Sequence, residues 1–379
     1  TAIENATIYV SSTKVIENGT LLFHQGRILA VGASITIPAN AQRIDGKGKT
    51  ITAGLIDAAT YMGLSEIPLE GSTNEGSFHS GDDAIHAAYR VTDGYNDKSV
   101  LIPIARKEGI TTVISAPRGG LVSGQGAAIS LVHHGDSHLI RSPVAIYVSL
   151  GNKGAKSARG SRGLAVKKIR ELLDDAKHYA RNRRAFDKNQ SRQYSAGRLD
   201  LEALQPVLNR KIPLVVRAHR SSDIRAAIAI AKEFSLRLII EGAVESWLLA
   251  KELAQAKVGV ILSPIANLPM NFERLYVRDD AAALLINAGV PLAISSLDEP
   301  ANTRILRFVA GNAVAQGITK AAALAAITET PAALFGLQKR GSLHPGFVAD
   351  LVLWSGDPFE YESSAQKLFI HGKSQHLSS

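Results

Sequence analysis

The chain has 379 residues, 45% of them hydrophobic, which is enough for one large core and a small second domain. It contains no cysteine, which excludes disulfides, thiolate metal sites and cysteine nucleophiles. No run approaches the roughly 18 apolar residues of a membrane-spanning helix. The net charge is +9, but 13 Lys/Arg against 4 Asp/Glu lie between Lys153 and Arg192, and the remainder is balanced. One basic segment on a neutral chain argues against general nucleic-acid binding.

The start of the sequence and its lack of cysteine bear on where the protein functions. The first residue is Thr1 and not Met, so we expect that a leader preceded it. Oxidising compartments penalise stray thiols and therefore favour chains without cysteine. We expect a periplasmic location, with the cytoplasm as the alternative.

The first 52 residues have the pattern of short β-strands separated by turns. Asn-Gly and Gln-Gly pairs break the apolar, β-branched runs Ala6–Val10, Thr20–Phe23 and Arg27–Val31. Residues Ile51–Asp57 then have the pattern of a buried strand. Strand character returns over Gly341–Ser379, so two β-rich ends flank the middle of the chain.

The middle of the chain alternates between predicted strands and helices. The predicted strands are Ile110–Ser115, Ala127–Val132, Val144–Leu150, Leu214–Ala218, Arg237–Ile240, Val258–Leu262 and Pro291–Ser295. The clearest predicted helices are Leu164–Arg181 and Asp223–Phe234. Repeated βα units with short connections predict a parallel sheet, either open or closed, in the α/β class. The two β-rich ends are expected to pair beside it.

Three segments resemble the amidohydrolase superfamily, in particular its imidazolonepropionase-like branch. They are Ile51–Ala58 (ITAGLIDA), Gly109–Val113 (GITTV), and Thr328–Gly336 (TETPAALFG) with the following Gly341–Trp354. The resemblance implies a TIM (β/α)8 barrel over residues 53–341 and a small composite β-sandwich from residues 1–52 and 342–379. It also implies hydrolysis of non-peptide C–N bonds by metal-activated water, with histidines and carboxylates at the carboxyl ends of the strands as metal ligands.

The histidines that the resemblance implies are replaced at the aligned positions. Ala59 and Tyr61 stand where the first strand should end in two histidines. Arg217 stands at the histidine of the fifth strand, and Gly242 at that of the sixth. Alanine and glycine have no ligating side-chain atom, and the pKa of tyrosine near 10 makes it a poor zinc ligand. We therefore predict no metal, with a single zinc or other divalent ion as the alternative.

Polar residues at the strand ends are the candidate site residues. His219 follows Arg217 by two positions and points the same way if the strand continues, either as a ligand or as a hydrogen-bonded pocket residue. Glu241 is expected either to face Arg217 or to ligate a metal. Asp298 follows the last strand, where the resemblance implies the proton-transferring catalytic aspartate. The alternative for Asp298 is a loop position before the next helix.

Four other features of the sequence bear on function. Glu66 lies in a long polar segment expected to cover the barrel mouth, and it is a ligand-binding candidate. Adjacent strand residues face opposite ways, so His133-His134 is not expected to hold one metal. The glycine-rich stretch from Gly119 to Gly126 is interpreted as a tight loop because it lacks a P-loop pattern. Some family members use a carboxylated lysine to bridge two metal ions. Lys153 is the candidate for that residue here, but without the histidines it would have little metal to bridge.

These replacements predict a homologue that binds a ligand or a partner and has lost conventional metal-dependent hydrolysis. At the aligned metal-ligand positions, Tyr61 supplies a phenol and Arg217 supplies a cation. The basic segment is expected to lie at the same face of the barrel. An anionic small molecule is therefore the expected ligand. One alternative is a C–N hydrolase with a remodelled, mononuclear site of His219, Glu241 and Asp298. Another is a scaffold subunit beside a catalytic paralogue. A homo-oligomer or such a hetero-oligomer is expected.

Overall fold

Two sheets organise the protein in the computed structural model, which describes residues 1–77, 84–132, 138–266, 268–297 and 300–377. The strands in chain order are β1 (Ala2–Ser11), β2 (Lys14–His24), β3 (Arg27–Gly32), β4 (Arg43–Asp45), β5 (Thr50–Ala53), β6 (Leu55–Thr60), β7 (Ile110–Ser115), β8 (Val122–Ser130), β9 (Leu139–Ser149), β10 (Leu214–Ala218), β11 (Leu238–Gly242), β12 (Gly259–Leu262), β13 (Leu292–Ile294), β14 (Leu351–Trp354), β15 (Ala365–Ile370) and β16 (Lys373–Gln375).

Helices cover the outside of the middle sheet. They are α1 (Leu101–Lys107), α2 (Gly151–Ser157), α3 (Arg162–Arg181), α4 (Arg183–Asp187), α5 (Arg198–Ala203), α6 (Gln205–Leu208), α7 (Ser221–Glu233), α8 (Ala250–Gln255), α9 (Ala281–Asn287), α10 (Leu306–Ala315), α11 (Lys320–Ala326) and α12 (Glu329–Leu334). Within the described residues, none of these helices has the length and apolar content needed to cross a membrane.

Both ends of the chain build the first sheet, as the sequence predicted. Its strand order is β16-β15-β14-β5-β1-β2-β3, and β4 pairs with β1. The C-terminal strand β14 lies antiparallel to the N-terminal strand β5, with Leu351 opposite Ala53. Apolar side chains from both ends share one core, in which the rings of Phe23 and Phe369 meet edge to face at 4.9 Å. This core explains why residues more than 300 positions apart form one unit.

The run from Ile51 to Asp57, predicted as one strand, is divided between the two sheets. β5 ends at Ala53 in the terminal sheet, and β6 begins at Leu55 in the other. A Cβ atom on Gly54 would lie 2.2 Å from the Thr111 side chain, so a residue without a side chain is required at the crossing. The hydrophobic pattern could not reveal this break because both strands are buried.

The second sheet forms an α/β barrel, and this prediction is confirmed. Its strands follow the order β6 to β13 in sequence, and the pairs from β9 to β13 are all parallel. The two edges meet where Ser295 Oγ, just after β13, donates a hydrogen bond to the carbonyl of Ala59 in β6 (2.9 Å). The barrel is therefore nearly closed at this seam.

One barrel strand differs from the eight parallel strands that were expected. β8 is antiparallel to both β7 and β9. It contains Gly124 and Gly126, so the interpretation of the glycine-rich stretch as a tight loop was wrong for these two residues, whereas Gly119 and Gly120 do lie in the connection between β7 and β8. A Cβ atom on Gly126 would lie 2.6 Å from the ring of Tyr147, which shows that glycine here gives room to a buried aromatic ring on the neighbouring strand.

The basic segment forms helix α3 and its neighbours. Ser161 caps α3 by accepting a hydrogen bond from the amide of Leu164 (3.3 Å), and one helix face packs on the barrel. Several of its cations pair with acidic residues: Arg162 with Asp223, Arg170 with Glu233, Arg183 with Glu202 and Arg192 with Asp175. Part of the positive charge is thus balanced within the fold.

Arg307 in α10 joins the barrel to the segment before β15. Its buried guanidinium donates hydrogen bonds to the carbonyls of Pro358 (3.1 Å), Glu360 (3.1 Å) and Ser363 (2.9 Å). It also forms an ion pair with Glu108 (3.0 Å). A buried carbonyl without a hydrogen-bond partner costs about 1–3 kcal/mol. The Arg307 side chain therefore stabilises the backbone between the two units by donating to three such carbonyls.

Replacing Arg307 by methionine is expected to lower the free energy of unfolding by about 3 kcal/mol, because three carbonyls lose their donor and Glu108 loses its counter-ion. The matched control is Arg225→Met, which removes an exposed arginine from its ion pair with Glu252. It should cost less than about 1 kcal/mol. Urea denaturation followed by circular dichroism measures both, and equal effects would refute the role given to Arg307.

Candidate functional site

A cavity of about 140 Å³ opens at the barrel mouth, at the carboxyl ends of the strands. This is the end at which TIM-barrel proteins carry their sites. The strands β9, β10 and β11 and the connections that follow β7, β9, β12 and β13 supply its lining. Its ionisable members are Arg118, Lys153, Arg217, His219, Glu241, Glu273 and Arg274.

Arg217 and Glu241 form the central ion pair of the cavity. They are register partners on the parallel strands β10 and β11, so both side chains lie on the same face of the sheet. Arg217 Nε donates to Glu241 Oε1 at 2.7 Å, and Arg217 Nη1 donates to the carbonyl of Pro117 at 2.8 Å. The guanidinium carbon lies 4.9 Å from the centre of the Tyr147 ring, a cation–π distance. Glu241 Oε2 is buried and has no hydrogen-bond partner among the described residues.

His219 is a neutral imidazole in this cavity. Burial lowers its pKa to about 3, helped by the positive charges of Arg274, Lys153 and Arg118. Arg274 Nη2 lies 3.2 Å from His219 Nε2, and a guanidinium can only donate, so Nε2 is the acceptor. The proton of the neutral ring is therefore on Nδ1, which is buried without a partner among the described residues.

Cations gather around the mouth of the cavity. The Arg118 guanidinium stacks on the ring of Tyr61, 3.7 Å from its centre, and donates to the carbonyl of Leu297. Lys153 is exposed as a residue, yet the pKa of its ammonium is lowered, first by partial desolvation and then by Arg118 and Arg217. Like charges held this close favour any bound group that supplies negative charge.

The connection after β12 is fixed over the cavity by a second ion-pair group. Glu273 accepts hydrogen bonds from the backbone amide of Asn152 and from Arg162 Nη2 (3.0 Å). Arg162 Nε also pairs with Asp223 at 3.2 Å. These contacts hold the neighbouring Arg274 at the cavity.

The structure brings together three of the predicted ligand-binding residues: Arg217, His219 and Glu241 all line the cavity. Tyr61 borders it through Arg118, and its hydroxyl is buried without a partner among the described residues. Glu66 does not line it, since Glu66 Oε1 instead accepts a hydrogen bond from Asn96 (3.2 Å).

The predicted catalytic residue Asp298 lies outside the described residues, as does the pair His133-His134. Among the residues that are described, no three His, Cys, Asp or Glu side chains lie close enough together to hold a metal ion.

Two of the positions aligned with lost histidines are buried. Ala59 is buried in β6, where its amide donates to Asp57 Oδ1 (3.3 Å). Gly242 has a φ of +91°, and a Cβ atom there would lie 2.5 Å from Cε1 of His219. The ring of His219 therefore occupies the space that a side chain at position 242 would need.

The sequence analysis missed Arg118, Glu273 and Arg274 as site residues. Arg118 comes three residues after β7, and a cation just past a barrel strand is a signal that could have found it. Glu273 and Arg274 belong to the irregular connection between β12 and α9, which has no periodicity to place them.

Asp57, the carboxylate of the first resemblance segment, closes the barrel seam. It is fully buried, Ser295 Oγ contacts its Oδ1, and Ser296 Oγ donates to its Oδ2 at 2.6 Å. Burial raises the pKa of Asp57 to about 6, although these hydrogen bonds act in the opposite direction. The seam between β6 and β13 therefore depends on a carboxyl group that is easily protonated.

As the pH rises from about 4 to about 7, the free energy of unfolding is expected to fall less in the variant Asp57→Asn than in the parent. The native state holds the Asp57 proton up to about pH 6, whereas the unfolded chain loses it near pH 3.8. Native stability from this group is therefore full below pH 3.8 and falls as the pH rises through about 6. Across that window the variant should gain about 3 kcal/mol relative to the parent.

Denaturant titrations of the variant and the parent at several pH values measure this difference. Asp280→Asn is the control, because Arg278 lowers the pKa of Asp280 and the relative change should have the opposite sign. Parallel pH profiles for Asp57→Asn and the parent would contradict the role of Asp57.

This combination of a nearly closed α/β barrel, a sheet domain from both chain ends and a polar site at the strand ends is typical of amidohydrolases. The crystal structure of an amidohydrolase from Thermotoga maritima MSB8 superposes with a TM-score of 0.89 at 26% identity, covering 98% of each chain. A family model described as "Amidohydrolase family" matches residues 274–374. In sequence and in fold the chain is therefore similar to amidohydrolases.

Two characterised relatives are similar over most of this chain. An imidazolonepropionase from Paracoccus denitrificans is 26% identical over 90% of this chain and 88% of its own length. The amidohydrolase tasK from Hapsidospora irregularis is 24% identical over 94% of this chain, and the match spans 40% of the length of that relative.

Proposed function

We propose that this amidohydrolase-superfamily protein binds a small anion at the barrel mouth and does not use the conventional binuclear metal centre. The observation that carries the proposal is the excess of cations around the cavity. Among the described residues, Arg118, Lys153, Arg217 and Arg274 line it, whereas the lining carboxylates are Glu241 and Glu273. The sequence already predicted an anionic ligand, and the cations of the cavity make that expectation more specific.

Within the described part of the chain, the cavity carboxylates form an ion pair with one of these four cations. Glu241 is paired with Arg217, and Glu273 is paired with Arg162 from outside the cavity. Two like charges about 6 Å apart repel by roughly 3 kcal/mol at an effective dielectric constant of about 20. A bound anion relieves this repulsion among the remaining cations, and that relief contributes to its affinity.

Unpartnered polar atoms define what the anion must offer. His219 Nδ1 and Arg274 Nε are buried donors without acceptors among the described residues. Glu241 Oε2 is a buried acceptor without a donor there. Such groups are costly to leave unpaired, so a matching ligand supplies acceptor oxygens and one N–H or O–H donor. A small carboxylate with a hydroxyl or amide group meets this requirement, and a cavity of about 140 Å³ suits a short-chain compound.

The donor set argues against two divalent ions. Ala59 offers no ligating atom, and at position 242 the ring of His219 takes the place of a side chain. A divalent ion beside Arg217 would be repelled by its guanidinium, with an energy of several kcal/mol in a site screened only partly from water. His219 and Glu241 are the described side chains that could contribute to a single remodelled metal site, which stays the alternative function.

Arg274→Met is expected to weaken binding of a short 2-hydroxy carboxylate such as L-lactate at least tenfold, because a charge-assisted hydrogen bond is worth about 1.5–3 kcal/mol. Isothermal titration calorimetry measures the affinity. Arg225→Met, an exposed arginine on α7, is the matched control and should leave it unchanged.

The same protein preparation tests the alternative function. Protein purified without chelator is analysed for metals, and the neutral lactamide is titrated beside lactate. Weak binding of lactamide and metal far below one equivalent are expected. Stoichiometric zinc or manganese that His219→Ala removes would favour the mononuclear hydrolase, and equal affinity for lactate and lactamide would refute the anion site.

A further inference from the structure

We infer that Lys153 is a reactive amine, which forms an imine with the carbonyl carbon of a small 2-oxo carboxylate held in the cavity. The inference rests on the proposed anion site and adds a covalent activity to it. Three arginines and one lysine surround the same small cavity, and the lysine is the member that can act as a nucleophile.

The backbone around Lys153 directs it to the cavity. Lys153 lies in the first turn of α2, directly after β9. Gly151 has a φ of +70°, and a Cβ atom there would lie 2.1 Å from Glu273 Oε1. A Cβ atom on Gly154 would lie 2.2 Å from the carbonyl oxygen of Ser149. Gly151 thus lets Glu273 approach the start of α2, and Gly154 lets α2 pack against the end of β9, so the lysine between them is held at the barrel mouth.

The Lys153 amine has no carboxylate in direct contact among the described residues. Among the described residues, Lys153 makes no hydrogen bond or ion pair, since Arg217 and Arg162 occupy the cavity carboxylates Glu241 and Glu273. Partial desolvation, then Arg118, Arg217 and Arg274, lower the pKa of Lys153, and Glu241 opposes this. A larger fraction of free amine is therefore present near neutral pH than for an exposed lysine, and the free amine is the nucleophile.

The proposed step needs no co-reactant beyond the 2-oxo acid. The lone pair of Lys153 Nζ forms a C–N bond to the carbonyl carbon while the C–O π electrons move to oxygen. Proton transfer from nitrogen to oxygen gives a neutral carbinolamine. Its hydroxyl group then takes up a proton from solvent and leaves as water, which gives a protonated imine. The arginines hold the carboxylate of the 2-oxo acid. Glu241 Oε2, buried in the same cavity without a partner among the described residues, is the carboxylate oxygen available to relay the proton.

Borohydride trapping with pyruvate tests the inference. Hydride reduces the imine to a stable secondary amine, so intact mass and peptide mapping should locate one reduced pyruvyl group on Lys153. Lys156→Arg is the matched control, because Lys156 is an exposed lysine on the same helix outside the cavity. We expect labelling of Lys153 at least tenfold above Lys156, its loss in Lys153→Arg and its retention in Lys156→Arg. L-Lactate, which has no ketone group and cannot form an imine, should slow the labelling by competing for the site.

The outcomes separate this inference from the proposed function. Binding of both lactate and pyruvate without an adduct on Lys153 overturns the reactive amine and leaves the anion site standing. Equal labelling of Lys153 and exposed lysines overturns it as well. If neither acid binds and no selective adduct forms, the anion site and the reactive amine both fail.

Discussion

A guanidinium that is almost withdrawn from water at the end of β10 constrains much of the barrel mouth. Arg217 must be paired, because an uncompensated buried charge costs several kcal/mol. Glu241 satisfies this need from the register position on the next strand, and the carbonyl of Pro117 accepts a second hydrogen bond. The guanidinium also lies over Tyr147, whose ring needs the space left by glycine at position 126. The antiparallel, glycine-rich β8 is thus linked to the ion pair through one aromatic ring.

Gly242, which has no side chain, affects the chemistry of its neighbours at the barrel mouth. Gly242 leaves room for the ring of His219, and burial with Arg274 keeps that ring neutral. A neutral imidazole that accepts from an arginine presents its own N–H to the cavity. The space that the resemblance assigns to a metal ligand is therefore occupied by a hydrogen-bond donor, which suits an oxygen-bearing ligand better than a cation.

The sequence predicted the parts of the molecule that depend on short-range periodicity. The strands Ile110–Ser115 and Leu214–Ala218 have the bounds that the apolar pattern indicated. Arg217 and Glu241 could also be expected to meet, because they end neighbouring βα units. The partners of Asp57 could not be found in this way, because Ser295 lies 238 residues further along the chain. Arg274 was missed because an irregular connection carries it, and local pattern does not determine the path of such a segment.

The positive electrostatic field at the barrel mouth underlies both the proposed anion site and the proposed reactive lysine. Positive charges that exceed the carboxylates disfavour a divalent ion, attract an anion and favour the uncharged form of a lysine among them. The anion and the free amine nevertheless oppose each other, since a bound carboxylate supplies negative charge that favours the ammonium form of Lys153. The chemistry is therefore consistent only if the arginines take the carboxylate while the lysine faces the carbonyl carbon. That division of roles follows from residue type, because a guanidinium matches the two oxygens of a carboxylate and stays charged, whereas a lysine can give up its proton.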